Sequence, residues 1–429
     1  MGFVIVVLLF VGCVENPQPG SSQPASNSNS NVVANTNTNV AANTSNDAAM
    51  SRIPITLPVV DALLSDEEFL KEVRRTVQPT DEQLDKLKNM ARDSVLQLDE
   101  DELEDANRST RGSLAKADKN IKEILGDERG ERFLQLAREY WSQGEKEISL
   151  KPNEVPTDTR IVINAPAYRM DMFQDGKLVK SYKVGIGYPE FPLPVGVRTA
   201  KDIIFNPVWT PPDEPWVKGE FQPGKKVEAG DKKNPLGVLK IPIGLPSLIH
   251  GGKNPARLGT FASHGCVGLT DALVQEFAAH LASLSGTELT PDQIKAHQKN
   301  RSETKNVQLS RPVPVELLYE TILVEDGKLH IYRDVYEHGT NSEENLNRVL
   351  EVYGLSLNDF TPEEQTKVRD ALKKMARDPG GKPVEEGGED KKKSTSEKVT
   401  RTIKGEKEIV IDIAALRGKG YPGPVNINP

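Results

Sequence analysis

Apolar and polar positions change their spacing several times along the chain, and each change marks a different kind of segment. Residues 3 to 12, FVIVVLLFVG, are almost unbroken apolar. That run is shorter than the roughly 20 residues a membrane-spanning helix needs, and it fits the apolar stretch of a secretory signal. From Val14 to Met50 the chain turns to Asn, Ser, Thr, Ala, Pro and Gln. Such a composition cannot bury enough surface to offset its ordering entropy, so 14–50 is predicted to be a disordered tether. As a flexible coil it would span roughly 30 to 36 Å, and about 120 Å fully stretched. In VVDALLSDEEFLKEVRRTV, DEQLDKLKNMARDSVLQL and IKEILGDERGERFLQLAREYW, apolar residues recur at three and four, which predicts helices. Thr80 followed by Gln83 gives a capping-box signature. Residues 51–150 therefore read as a helical module, its apolar stripes serving internal packing rather than a ligand groove.

At Pro156 the period drops from helical to strand-like. RIVINAP, YRMDMFQDGKLVKSYKVGIG and VLKIPIG alternate and are β-branched, with a hairpin turn at Gln174-Asp175-Gly176. ELLYETILVEDGKLHIYRDVY repeats that grammar around Glu325-Asp326-Gly327. A mainly β domain is thus predicted over 157–337, interrupted by a helix from Asp271 to Leu284 and a second one opened by Thr290-Pro291-Asp292-Gln293. Beyond Tyr336, SEENLNRVLEVYGL and TPEEQTKVRDALKKMAR predict further helices, and the Gly/Lys/Glu-rich stretch from Asp378 to about Lys398 predicts a solvated linker. Residues 338–400 are read as helical segment and linker, and 401–429 as a C-terminal strand and tail that adds an edge strand to the β domain.

Length sets a prior of two or three folded units. A net charge of −8 excludes nucleic acid as a partner, because phosphate binding needs a basic face. The two cysteines, Cys13 and Cys266, sit in the leader and in a glycine-flanked motif, so each needs its own explanation.

The chemistry concentrates in Ile249-His250-Gly251-Gly252-Lys253 through Arg257 to Ser263-His264-Gly265-Cys266-Val267-Gly268. A thiol attacks carbonyl carbon only as thiolate, so it needs a base or a positive field nearby. Two histidines lie within sixteen residues of Cys266. Gly265 lets the backbone turn tightly so that successive N–H groups can converge, as an oxyanion hole requires. A zinc site built from His250, His264 and Cys266 is disfavoured, since a structural zinc wants a fourth ligand that the sequence does not offer. No metal or organic cofactor is called for. His280, His297, His330 and His338 are read as surface or packing residues, and Trp209 and Trp216 as either cleft-lining or core.

This segment resembles the L,D-transpeptidase (YkuD, ErfK-like) motif, in which a His-Gly pair is followed about a dozen residues later by Ser-His-Gly-Cys. PLPVG at 192–196, NPVWTPP at 206–212, NPLG at 234–237 and the closing PVPVELLYETILVEDGKLHIYRDVY are similar to other parts of that domain. The resemblance implies a YkuD-like β-sandwich with Cys266 as nucleophile and His250 as base. Gly251 would orient the imidazole through its carbonyl, Ser263 fix the turn and His264 support the site, while the N–H groups of Gly265 and Cys266 hold the oxyanion. It implies acyl transfer from a peptidoglycan stem peptide through a Cys266 thioester to an amine, from another stem or an envelope protein lysine, with water giving carboxypeptidase activity. The family's usual Arg or Asn two positions after the cysteine is Gly268 here, so Arg257 or Lys253 is expected to supply the missing charge, with Trp209 a further substrate contact. That departure also leaves open a peptidoglycan-binding module of weak activity.

Phe10-Val11-Gly12-Cys13 resembles the lipobox of bacterial lipoproteins, with Phe10 in place of the usual Leu. The resemblance implies a signal peptide over 1–13 and lipidation of Cys13. The chain would then sit in the bacterial cell envelope, held to membrane by the lipid alone, on the periplasmic face. In a diderm source, Val14 after the cysteine points to the outer membrane.

Overall fold

The computed structural model describes residues 53–96, 110–141, 151–210, 225–244, 247–377 and 403–427. The leader with Cys13, the tether at 14–50, Trp216 and the linker at 378–402 lie outside the described residues.

Five helices come first: α1 (Leu57–Leu64), α2 (Glu67–Thr76), α3 (Asp81–Leu96), α4 (Thr110–Leu125) and α5 (Asp127–Trp141). Their starts follow from side chains that take up orphan N–H groups. Thr56 Oγ1 accepts from Val59 N–H, and Asp66 Oδ1 accepts from Phe69 N–H at 2.8 Å. Thr80 and Gln83 exchange side-chain and backbone bonds in a complete capping box. The apolar stripes meet in one core that includes Phe69, Leu87, Ile121, Phe133 and Trp141. Phe69 meets Phe133 edge-on with centroids 5.9 Å apart. Burying each such side chain contributes roughly 1.5–3 kcal/mol.

The β region follows as β1 (Arg160–Asn164), β2 (Arg169–Gln174), β3 (Lys177–Lys183), β4 (Ile186–Gly187), β5 (Gly196–Phe205), β6 (Leu239–Pro242), β7 (Leu248–His250), β8 (Phe261–Ser263) and β9 (Val267–Gly268). Then come α6 (Asp271–Ser285), α7 (Pro291–Lys299) and β10 (Lys305–Leu318). Eight strands form one mixed sheet in the order β3-β2-β1-β10-β5-β6-β7-β9, while β4 and β8 pair separately. The β2–β3 turn places Asp175 and Gly176 at positive φ, the backbone a two-residue hairpin turn demands. Strand β5 alternates buried and half-buried positions over 196–200 and again over 203–205, the phase shifting at Lys201–Asp202 where the pairing with β10 is irregular. Helix α6 lays Val274, Phe277, Leu281 and Ala282 on that core, with Phe277 edge-on to Tyr182 at 5.7 Å. Asn206 and Asn234, from the NPVW and NPLG runs, are buried turn-makers. Asn206 Nδ2 donates to the carbonyls of His297, Asn300 and Glu303, and Asn234 Nδ2 to that of Pro207.

The second hairpin, β11 (Ile322–Glu325) and β12 (Lys328–Tyr332), does not close the large sheet. It joins β13 (Glu408–Asp412) in a three-stranded sheet. Helices α8 (Glu343–Glu351) and α9 (Pro362–Met375) cover it, giving a third core from Ile322, Val324, Leu329, Leu346, Val368 and Leu372. The physical reason is that the apolar faces of α8 and α9 need a partner, and this hairpin supplies it. The C-terminal strand adds an edge to this sheet, and beyond it Ser181 N–H donates to the Val425 carbonyl at 2.9 Å, tying the tail to β3.

Helical and β regions touch through the loop before β5 and the start of β5 itself. Thr56 Oγ1 donates to the Glu190 carbonyl at 2.6 Å, Thr110 Oγ1 to that of Pro189 at 3.3 Å, and buried Arg198 to that of Trp141. Among the described residues no helix is long and apolar enough to cross a membrane.

Candidate active site

Three strand ends converge at the sheet edge. β7 pairs parallel with β9, with Ile249 opposite Val267 and His250 opposite Gly268. This register brings Cys266, in the bend just before β9 and two positions ahead of Gly268, to the end of the strand that lies beside His250. Backbone bonds hold the arrangement: Leu269 N–H donates to the His250 carbonyl at 2.8 Å, and Gly185 and Gly268 exchange bonds at 2.9 Å. Ser247 Oγ donates to the Gly265 carbonyl at 3.0 Å. Gly265 sits at φ +88°, the left-handed turn its missing Cβ allows.

His250 is 3% exposed, and its Nδ1 lies 2.7 Å from the Gly251 carbonyl oxygen. A carbonyl only accepts, so Nδ1 carries the proton and Nε2 keeps the lone pair of a base. Burial, then the charges of Lys253 and Lys240, hold this imidazole down to about 3, opposed by its bond to Gly251. The ring is therefore neutral across the physiological range. Burial pushes the Cys266 thiol up, against a backbone hydrogen bond from Leu248 and the charges of Lys253 and Lys240, which pull it down. Burial wins, so the resting pair is thiol and neutral imidazole. The arrangement suits general-base removal of the thiol proton during attack rather than a standing ion pair.

Ser263 Oγ donates to the Cys266 carbonyl at 2.5 Å and accepts from the Cys266 N–H at 3.0 Å, closing the turn. The Cys266 N–H is thereby engaged, which departs from the sequence reading that gave it to the oxyanion. The Gly265 N–H donates to no described residue. His264 is half-buried between Tyr188 and Phe191, edge-on to both at 5.1 and 4.8 Å. Both aromatics belong to the loop that the helical module grips.

Lys253 crosses directly over Gly268: a Cβ built there would lie 2.7 Å from Lys253 Cγ and 2.9 Å from its Cε. Arg257 is exposed at the end of a single 3-10 turn, Pro255–Arg257, where its carbonyl accepts from Thr260 Oγ1. Trp209 is half-buried and pairs with Val227 through its backbone. Sequence reasoning missed two residues. Asp271 was legible only as a helix start, yet its carboxylate binds the turn after His250. Lys240 reaches the site only through strand register, which no local pattern reveals. Among the described residues no group of three or more His, Cys, Asp or Glu is placed to hold a metal ion.

The family model of YkuD, the L,D-transpeptidase catalytic domain, matches residues 158–312. The mixed-sheet core agrees with that fold. No curated protein matches the chain. Among solved structures, the chain is similar to the catalytic domain of the E. faecium L,D-transpeptidase, at 17% identity over 38% of this chain and 100% of that one, with a TM-score of 0.23. It is similar to an Ldtfm–avibactam carbamoyl enzyme at 17% identity over 38% of this chain, with a TM-score of 0.24, and spans about half (49%) of that chain's length. An L,D-transpeptidase from Mycobacterium smegmatis is 18% identical over 37% of this chain and 58% of that one, with a TM-score of 0.22.

Proposed function

We propose that the 157–337 region is a cysteine acyltransferase acting on peptidoglycan stem peptides, with Cys266 as nucleophile and His250 as base. One observation carries this reading: the His250 Nδ1–H is spent on the Gly251 carbonyl, which leaves Nε2 as a neutral base on β7, the strand paired with the β9 that begins at Cys266's neighbour Val267, and Cys266 is the only free cysteine among the described residues. Cys266 Sγ attacks the carbonyl carbon between the diamino acid and D-Ala while Nε2 takes the thiol proton. The C–N bond then breaks, the departing D-Ala nitrogen takes that proton, and a thioester remains. An acceptor amine attacks the thioester, the C–S bond breaks and the sulfur regains a proton. A neighbouring stem peptide or an envelope protein lysine would supply that amine; water in its place would make the enzyme an L,D-carboxypeptidase.

The Gly265 N–H is assigned to the oxyanion, Ser263 to the turn, and His264 to support from behind. Arg257 and Trp209 are assigned to substrate at the rim. Residues 1–13 with lipidated Cys13 and the tether at 14–50 would hold the helical module and catalytic region in the cell envelope, on the periplasmic face.

The test is intact-mass spectrometry of the full chain incubated with a purified stem tetrapeptide. An adduct on Cys266 equal to the peptide less one D-Ala is expected, followed by cross-linked product, and Cys266→Ala should show neither. Tripeptide product alone would mean hydrolysis. Peptidoglycan binding without any adduct would reduce this chain to a binding module.

A further inference from the structure

Lys240 on β6 stands directly opposite His250 on β7, and His250 directly opposite Gly268 on β9. Residues facing each other across strands share a face of the sheet, so the three form one row. Gly268 contributes no side chain to that row, and its place is taken by the aliphatic stem of Lys253, lying where any Cβ would collide. The Lys253 N–H donates to the Leu269 carbonyl at 3.0 Å, which fixes where the stem starts. His250 thus has a lysine side chain on each side of it in the row, with Cys266 just ahead of Gly268 in the adjoining bend. Lys240 is half-buried in this row, so its charge acts through little water.

We propose that Lys240 and Lys253 form a cationic bracket that holds the negative charge developing on Cys266 Sγ, separating two tasks that a cysteine–imidazolium pair combines. His250 removes the proton, and the two ammonium groups stabilise the sulfur. Charge and position agree with this division. Both lysines pull the thiol down and both disfavour the imidazolium, while the sulfur in turn favours the charged form of Lys240 against the desolvation that depresses it. An imidazolium therefore cannot be the main source of positive field here. The proposal rests on Cys266 being the nucleophile.

The test is the rate of Cys266 alkylation by neutral iodoacetamide against pH, read by mass on the Cys266 peptide of the full chain, with near-ultraviolet circular dichroism to confirm the fold. Lys240→Met and Lys253→Met should each move the inflection up by about one pH unit, slowing alkylation roughly tenfold below it. The double variant should shift further, and Lys240→Arg should keep the wild-type profile. An unchanged inflection in folded Met variants overturns the bracket, as does an equal shift in Lys240→Arg, which would point to packing instead of charge. Alkylation needs no stem peptide. Shifted inflections with no peptide adduct would therefore sink the acyltransferase reading while leaving the bracket standing.

Discussion

The Asp271 carboxylate accepts the Gly252 N–H at 2.8 Å, and the same Oδ1 accepts the Val238 N–H at 3.2 Å. One oxygen thus joins the turn after His250 to the chain entering β6. The carboxylate sits in the first turn of α6, behind the Thr270 cap, where the helix field favours a negative charge. Packing is tight enough that a Cβ on Gly251 would fall 2.4 Å from that oxygen. Asp271 therefore fixes Gly251, whose carbonyl fixes the His250 ring.

Loss of this clasp should misplace the base without removing it. Asp271→Ala is expected to slow Cys266 acylation by the stem tetrapeptide by about tenfold to a hundredfold, the scale of an ångström's misplacement in a reacting pair. It should also destabilise the chain by about 1.5–3 kcal/mol through the lost bonds to a charged acceptor. Asp271→Asn keeps an acceptor oxygen and should recover most of the rate. A wild-type acylation rate in a folded Asp271→Ala chain would remove Asp271 from the machinery.

Why Asp271 and Lys240 escaped the sequence reading while the hairpins did not is a matter of range. Asp175-Gly176 and Asp326-Gly327 declare their turns locally, because few other pairs adopt successive positive φ angles. Thr80 and Thr290 likewise announce helix starts with partners three residues away. The Ser263–Cys266 turn is equally local, and the motif around it was legible by resemblance. By contrast, β1 pairs with β10 across some 150 residues, and nothing near either strand names the other. The hairpin β11–β12 carries the same alternation whether it closes the large sheet or builds a separate one. Only the unpartnered faces of α8 and α9 decide that, and they are met later in the chain. The sequence points the Cys266 N–H at an oxyanion because a backbone pattern cannot show that a serine hydroxyl three residues earlier already holds it.

The depressed imidazole makes a prediction about stability. A group whose pKa is lower in the folded chain stabilises the fold fully above its unfolded value of about 6.5. That contribution is lost as pH falls through the interval down to about 3, where His250 finally protonates in place. Between these limits the unfolded chain binds one more proton at this site, so stability should decline by about 1.4 kcal/mol per pH unit from this residue alone. Urea unfolding at pH 7, 5.5 and 4 should therefore show a shallower acid loss in His250→Asn than in the parent. Parallel losses would mean that the ring is not held neutral. For the same reason, the acid limb of acyl transfer should not fall near 6.5.

The buried charge cluster behind the sheet offers the last expectation. Arg169 on β2 pairs with Asp171 at 2.8 Å and with Glu325 of β11 at 2.6 Å, all three nearly or fully buried. Ser181 Oγ donates to Asp171 Oδ1 at 2.6 Å and Tyr421 Oη to its Oδ2 at 3.2 Å, so large sheet, small sheet and C-terminal tail meet at one guanidinium. Burial pushes both carboxyls up, and the Arg169 charge opposes that rise. Removing the cation strands two carboxylates in apolar surroundings, so Arg169→Met should cost about 3–5 kcal/mol. Part of that cost should be regained at low pH, where Asp171 and Glu325 can protonate and shed their unpaired charge. Removing the tyrosine hydroxyl is milder: Tyr421→Phe loses one hydrogen bond to a charged partner and should cost about 1.5–3 kcal/mol. Chemical denaturation of the two variants at pH 7 and pH 4.5 separates the cases. A cluster that merely fills space would give Arg169→Met a loss below about 1 kcal/mol and no recovery in acid, because only a stranded charge can be relieved by a proton.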